Sequence, residues 1–202
     1  TYETWYTEML AMIAEDMCTN LLEINDDLSK NECNSVYASR LPFFLAFHNL
    51  GFKNWRDGTS FSSDGDVYAS YANAYAFGAF LVRNYGGFEL LTKLAKGAVF
   101  NEKAVIQGIR ACTGYTYTFS EILKEFSKVL YDYDALNKVV KYESDNDLQF
   151  NAINLSNYES LTGKLSSALT YKNQKDTYGR RFLGAYGIDI TTYNQAIYQC
   201  SV

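Results

Sequence analysis

The chain has 202 residues, enough for one domain or for one domain with an appendage, and 48% of them are hydrophobic, ample for a core. A net charge of -5 with a pI near 4.9, and no basic patch, argue against a nucleic-acid partner. No run approaches the roughly 18 apolar residues of a membrane span, so none is expected in this chain.

The first expected helix runs from about Thr4 to Ile24. Leu10, Ile13, Ala14, Met17 and Leu21 share one apolar stripe at helical spacing. Trp5, Glu8, Met12 and Glu15 share a second, so the helix reads as apolar nearly all round and buried. Glu8 and Glu15 then lie one above the other. An unpaired buried carboxylate costs several kcal/mol, so each calls for a cation, a metal or strong donors, unless both reach a wet edge of the helix.

These residues resemble the segment that supplies the third zinc ligand in gluzincin metallopeptidases, a W-x-x-E-x6-E pattern matched by Trp5, Glu8 and Glu15. The hyicolysin type is similar over more of the segment, at Leu10, Met12, Ala14, Glu15 and Asp16, with Ala11 in place of a serine. Thr7 and Met9 stand where the clan usually has Asn and Gly. The resemblance implies that Glu8 is a zinc ligand. Glu15 would be a hydrogen-bond partner that orients a ligand histidine. The cofactor would be zinc and the substrate a peptide or protein.

The HExxH helix of that clan is missing. The chain has one histidine, His48, and no HExxH. Catalytic zinc takes three protein ligands and an open position for water, so one glutamate cannot hold it. The expectation is a fragment that follows HExxH, inactive alone and partnered by the N-terminal part of the same protein, or else a pseudo-peptidase.

Asn25-Asp26-Asp27 ends the first helix as a solvated turn; it lacks the ligand alternation and Gly of a calcium loop. Ser35 to Arg40 reads as a short helical or turn segment, and Pro42 as the first residue of a buried helix over Phe43–His48. His48 reads as a packed or capping residue. Asn54 to Asp66 is a loop rich in Ser, Gly and Asp, of a length that is often functional.

The second strong helix is expected from Asp66 to Tyr85, stopped by Gly86-Gly87. Small residues alternate with aromatics along it, and Tyr68, Tyr71, Tyr75 and Gly78 share a stripe. Tyr75-Ala76-Phe77-Gly78 resembles the Y-x-x-G frame of gluzincins at a similar distance after the ligand. The resemblance implies that the Tyr75 hydroxyl, or that of Tyr71 one turn earlier, donates to the oxyanion. As residues alone, these tyrosines read as core filler with a polar tip.

Three short amphipathic helices follow: Phe88–Ala95 closed by Gly97, Glu102–Ala111 capped by Asn101 and closed by Gly114, and one opened by a Thr118–Glu121 capping box and running to about Tyr131. Beyond Asp132 the periodicity fades. A helix is expected within Asn157–Ala168, and short extended segments near Arg180–Leu183 and Ile188–Thr191. The fold expected is mainly α: a gluzincin-like helical lobe over 1–131, and an irregular, partly β appendage over 132–202 folded back on it.

Four widely spaced cysteines permit Cys18–Cys33 and Cys112–Cys200 disulfides, or isolated buried thiols. Abundant Tyr and Asn with a single Pro suggest an extracellular or cell-surface protein of an exporting bacterium. The competing function is a non-catalytic α-helical surface or peptide-binding protein.

Overall fold

A computed structural model describes residues 2–22, 35–48, 51–53, 55 and 64–158. It is mainly helical. The described elements are α1 (Thr4–Met17), α2 (Val36–Phe47), α3 (Asp64–Asn84), α4 (Gly87–Ala95), α5 (Glu102–Thr113) and α6 (Phe119–Ser127). Two 3-10 turns follow, then a hairpin of β1 (Val140–Tyr142) and β2 (Asp145–Phe150).

The centre is α3. Every residue from Ala72 to Arg83 is buried, as expected of a helix packed on all sides. Its small residues let α1 approach closely. A β-carbon built on Gly78 would lie 2.6 Å from Met9 Cγ and 2.9 Å from Ile13 Cγ1. Around this contact the aromatics interlock. Trp5 meets Tyr6, Phe52, Phe77 and Phe119, and Phe77 also meets Phe126.

The first helix differs from expectation in length and in face. It stops at Met17 and continues as turns to Leu22. The Thr19 hydroxyl bonds back to the Glu15 carbonyl, the kind of local alternative that weakens a helix end. Its buried positions are Trp5, Tyr6, Met9, Met12, Ile13 and Asp16, while Thr4, Thr7, Ala11 and Glu15 form an exposed stripe. It is therefore amphipathic, not apolar all round, and Leu21 is exposed.

Pro42 lies inside α2 and does not start it. The cap is Ser35, whose hydroxyl accepts from Ala38 N–H at 3.2 Å. Proline there leaves the Ala38 carbonyl without its usual donor. Burial of Val36, Leu41 and Phe44 offsets that loss. The caps read from the sequence for the later helices are present. Asn101 accepts from Lys103 N–H, Gly114 closes α5 at φ 76°, and Thr118 and Glu121 form the capping box.

After residue 132 the chain packs on the helices through Leu136, Phe150, Ile153 and Leu155, all buried. Phe150 stacks on Phe88, and Ile153 N–H donates to the Leu136 carbonyl. The hairpin is antiparallel, pairing Val140 with Phe150 and Lys141 with Gln149. Only the first turn of the helix expected at Asn157–Ala168 and none of the extended segments expected near 180–191 fall within the described residues. Cys33 and Cys200 also lie outside them, so neither disulfide pairing is decided.

Gly78→Ala should cost about 1–3 kcal/mol in chemical denaturation, because neither helix can yield without off-rotamer side chains. Gly51→Ala, where a β-carbon meets nothing within 4 Å, serves as the unaffected control.

Candidate functional site

Two polar constellations involve α1, one buried and one at the surface. The buried one is centred on Asp16, which is fully enclosed. Arg83 Nη1 donates to Asp16 Oδ2 at 2.9 Å and Nη2 to Oδ1 at 3.0 Å, a bidentate pair. The Tyr37 hydroxyl donates to Oδ1 at 2.6 Å and the Tyr75 hydroxyl to Oδ2 at 3.0 Å. Arg83 also donates from Nε and Nη2 to the Asn151 carbonyl, at 3.1 and 2.8 Å. One carboxylate thus joins α1, α2, α3 and the segment after β2. Burial raises the Tyr37 hydroxyl above its ordinary value. The Asp16 charge adds to the rise, and Arg83 opposes it. Tyr75 is raised for the same reasons, burial first.

The surface constellation is a notch where α1, α2 and α3 meet. Glu8, Arg40, Tyr71 and Trp55 are all half-buried there. Burial raises the Tyr71 hydroxyl, and the Glu8 carboxylate beside it raises it further, as a charge and as an acceptor; Arg40 works the other way. The Arg40 guanidinium lies over the Tyr71 ring at 5.2 Å, and the Trp55 ring meets Tyr71 edge-on with centroids 4.8 Å apart.

Of the residues singled out in the sequence, Glu8 and Tyr71 come together. Tyr75 does not join them: it points into the core, its hydroxyl committed to Asp16. Glu15 is exposed on the wet stripe of α1. His48 is half-buried at the end of α2, where its Nδ1 lies 3.1 Å from the Leu45 carbonyl, the second of the two roles, packed or capping, read for it. Burial lowers its pKa, and the Leu45 bond partly counters that. Among the described residues no three His, Cys, Asp or Glu side chains group to hold a metal. No described helix is long and apolar enough to cross a membrane.

The Asp16 cluster was missed in the sequence, although a signal was there. Arg83 is the lone cation in the buried run from Ala72 to Arg83, and a buried cation requires an anion. Asp16 shares the stripe of Trp5, Met9 and Met12, one turn beyond the last of them.

No protein-family model matches the chain, and no curated protein or solved structure matches it.

Arg83→Met should destabilise the protein by about 3–5 kcal/mol, since it strands Asp16 as a buried charge. Tyr75→Phe should cost only about 1 kcal/mol, one hydrogen bond among four to that carboxylate. Urea titrations of the two variants measure both. A pH prediction follows from the tyrosines. The unfolded chain releases their protons near pH 10, while folded Tyr37 and Tyr75 retain theirs. Between those values the unfolded state binds fewer protons, so stability falls as pH rises above about 10 and is unaffected by these groups below it. Tyrosinate absorbance should show both ionising only as the urea midpoint collapses, and Tyr37→Phe should flatten that decline.

Proposed function

We propose that this chain is the helical part of a zinc-dependent endopeptidase, in which Glu8 is the metal ligand contributed by α1, and that it is inactive alone. The observation that carries the reading is the placement of Glu8. It is half-buried in a notch walled by three helices, beside a tyrosine hydroxyl, with no lysine or arginine within ion-pair distance among the described residues. Of the other two carboxylates of α1, Asp16 is consumed by Arg83 and two tyrosines, and Glu15 is exposed.

The donor set fits zinc only in part. One carboxylate is far short of the three ligands a catalytic site needs, and no further metal-binding group exists among the described residues, so on this reading the remaining ligands and the general base come from elsewhere in the intact protein. A metal so bound would lower the pKa of a water and polarise a peptide carbonyl. In this chain, Glu8 would hold and partly neutralise the cation, and Tyr71 would donate its hydroxyl to the oxygen that gains negative charge. Tyr71 suits that role better than Tyr75, because its hydroxyl is beside Glu8 and half-exposed. Glu15, free on the wet stripe, would accept from a ligand histidine and fix its tautomer.

In the intact protein, Glu8→Gln should lower zinc content and peptide hydrolysis together. Tyr71→Phe should keep zinc and lose roughly 10²- to 10³-fold in kcat. Tyr75→Phe should keep kcat and lose stability. Glu15→Gln should lose on the order of 10- to 100-fold in metal affinity or activity. Stoichiometric zinc held tightly by residues 1–202 alone would overturn the partial-site reading, and wild-type hydrolysis by Glu8→Gln would overturn the peptidase reading. The second reading is a peptide-binding helical protein without catalysis, favoured by the single carboxylate of the notch; it predicts no zinc and no hydrolysis in the intact protein.

A further inference from the structure

The one buried side-chain nitrogen or oxygen without a hydrogen-bond partner, among the described residues, is Nε of Arg40. Buried polar atoms are nearly always paired, so an orphan asks for a reason. It stands out against the core, where Asp16, Arg83, Tyr37 and Tyr75 satisfy one another. Arg40 is half-buried, and no carboxylate of the described residues lies within ion-pair distance of it. Its guanidinium carbon lies over the Tyr71 ring, 5.2 Å from the centroid.

Such stacking does two things. It restrains a long side chain whose rotamer freedom would otherwise be lost on binding. It also leaves the outer Nη nitrogens as a planar fork suited to a bidentate oxygen pair. Trp55, set edge-on with its centroid 4.8 Å from that of Tyr71, adds an apolar surface against the same ring. Glu8, beside the Tyr71 hydroxyl, contributes a negative charge, which penalises a dianion such as phosphate more than a singly charged group.

We infer that the Arg40–Tyr71–Trp55 notch binds the carboxylate of a peptide, held by the Arg40 Nη fork with the neighbouring apolar side chain against Trp55. The carboxylate is a C-terminal one or that of an Asp or Glu side chain. The site does not depend on Glu8 meeting a metal.

The test uses residues 1–202 without added metal and three probes: acetyl-Ala-Ala-Leu with a free carboxylate, the same peptide amidated, and amidated acetyl-Ala-Glu-Leu. The chain has two tryptophans, so the indole N–H resonances of Trp55 and Trp5 are separable, and Trp55→Phe assigns them. The free acid should shift the Trp55 resonance and saturate, with the amide about 10-fold weaker or worse, as for loss of a charge-assisted pair. Equal binding by the Glu-containing amide assigns the site to side-chain carboxylates as well; weak binding restricts it to chain ends. Arg40→Met should level the acid and the amide. Arg40→Lys, which keeps the charge but not the fork, should fall between. An unshifted Trp5 resonance, buried at the centre of the aromatic cluster, verifies that each variant is folded. Equal binding of acid and amide by the wild type, or an acid preference that survives Arg40→Met, would overturn the inference. Hydrolysis and zinc content of the intact protein are read separately, so failure of the peptidase reading leaves this result standing, and the reverse.

Discussion

The fold depends on one buried ion pair. Asp16 and Arg83 are each fully enclosed in their side chains. Removing two charges from water costs several kcal/mol each, and their attraction repays this only when the remaining lone pairs and protons are satisfied. Here they are. Two tyrosines complete the carboxylate, and the Asn151 carbonyl accepts twice from the guanidinium. The contribution is less to net stability than to uniqueness. A slip of α1 by one residue against α3 would strand both charges, whereas the surrounding apolar contacts would tolerate it better.

That pair also sets the register of the other contacts. With Asp16 opposite Arg83, Met9 and Ile13 sit over Gly78, where an added β-carbon would collide with both. Trp5 then reaches Phe77, Phe52 and Phe119, which brings α6 and the segment at residue 52 onto the same cluster. Farther along, the carbonyl of Asn151 ties the segment after β2 to Arg83. Charge, close helix approach and aromatic packing thus agree on a single arrangement, the consistency expected of a sequence that folds to one structure.

The surface notch follows from the same register. Turning Asp16 inward places Glu8 at the rim of the core and Glu15 on the wet stripe. Tyr75 and Tyr71, one turn apart on α3, separate by the same rule: the first points at Asp16, the second toward Glu8. The notch gathers residues from α1, α2, α3 and the segment around Trp55, so its chemistry is held on helices that the core fixes in place. A site on rigid elements keeps its geometry better than one on loops.

What the sequence determined by itself was local. The mainly α class, the stops at Gly86 and Gly114, the Asn101 cap and the Thr118–Glu121 capping box were legible because their hydrogen bonds close within a few residues. The resemblance named Glu8 with Tyr75 ahead of Tyr71, whereas the helix packing sets Glu8 beside Tyr71 and commits Tyr75 to Asp16. The hairpin at 140–150 was not, since Lys141, Glu143, Asp145 and Asp147 leave too little apolar alternation to announce a strand. Nor was the continuation of α2 through Pro42, which burial against α3 decides. Tertiary structure alone chose which acid of α1 is buried and which tyrosine stays at the surface. Asp16 and Arg83 are 67 positions apart, and no local pattern encodes a partner at that distance. Only the packing of α1 on α3 brings the two charges together and closes them off from water.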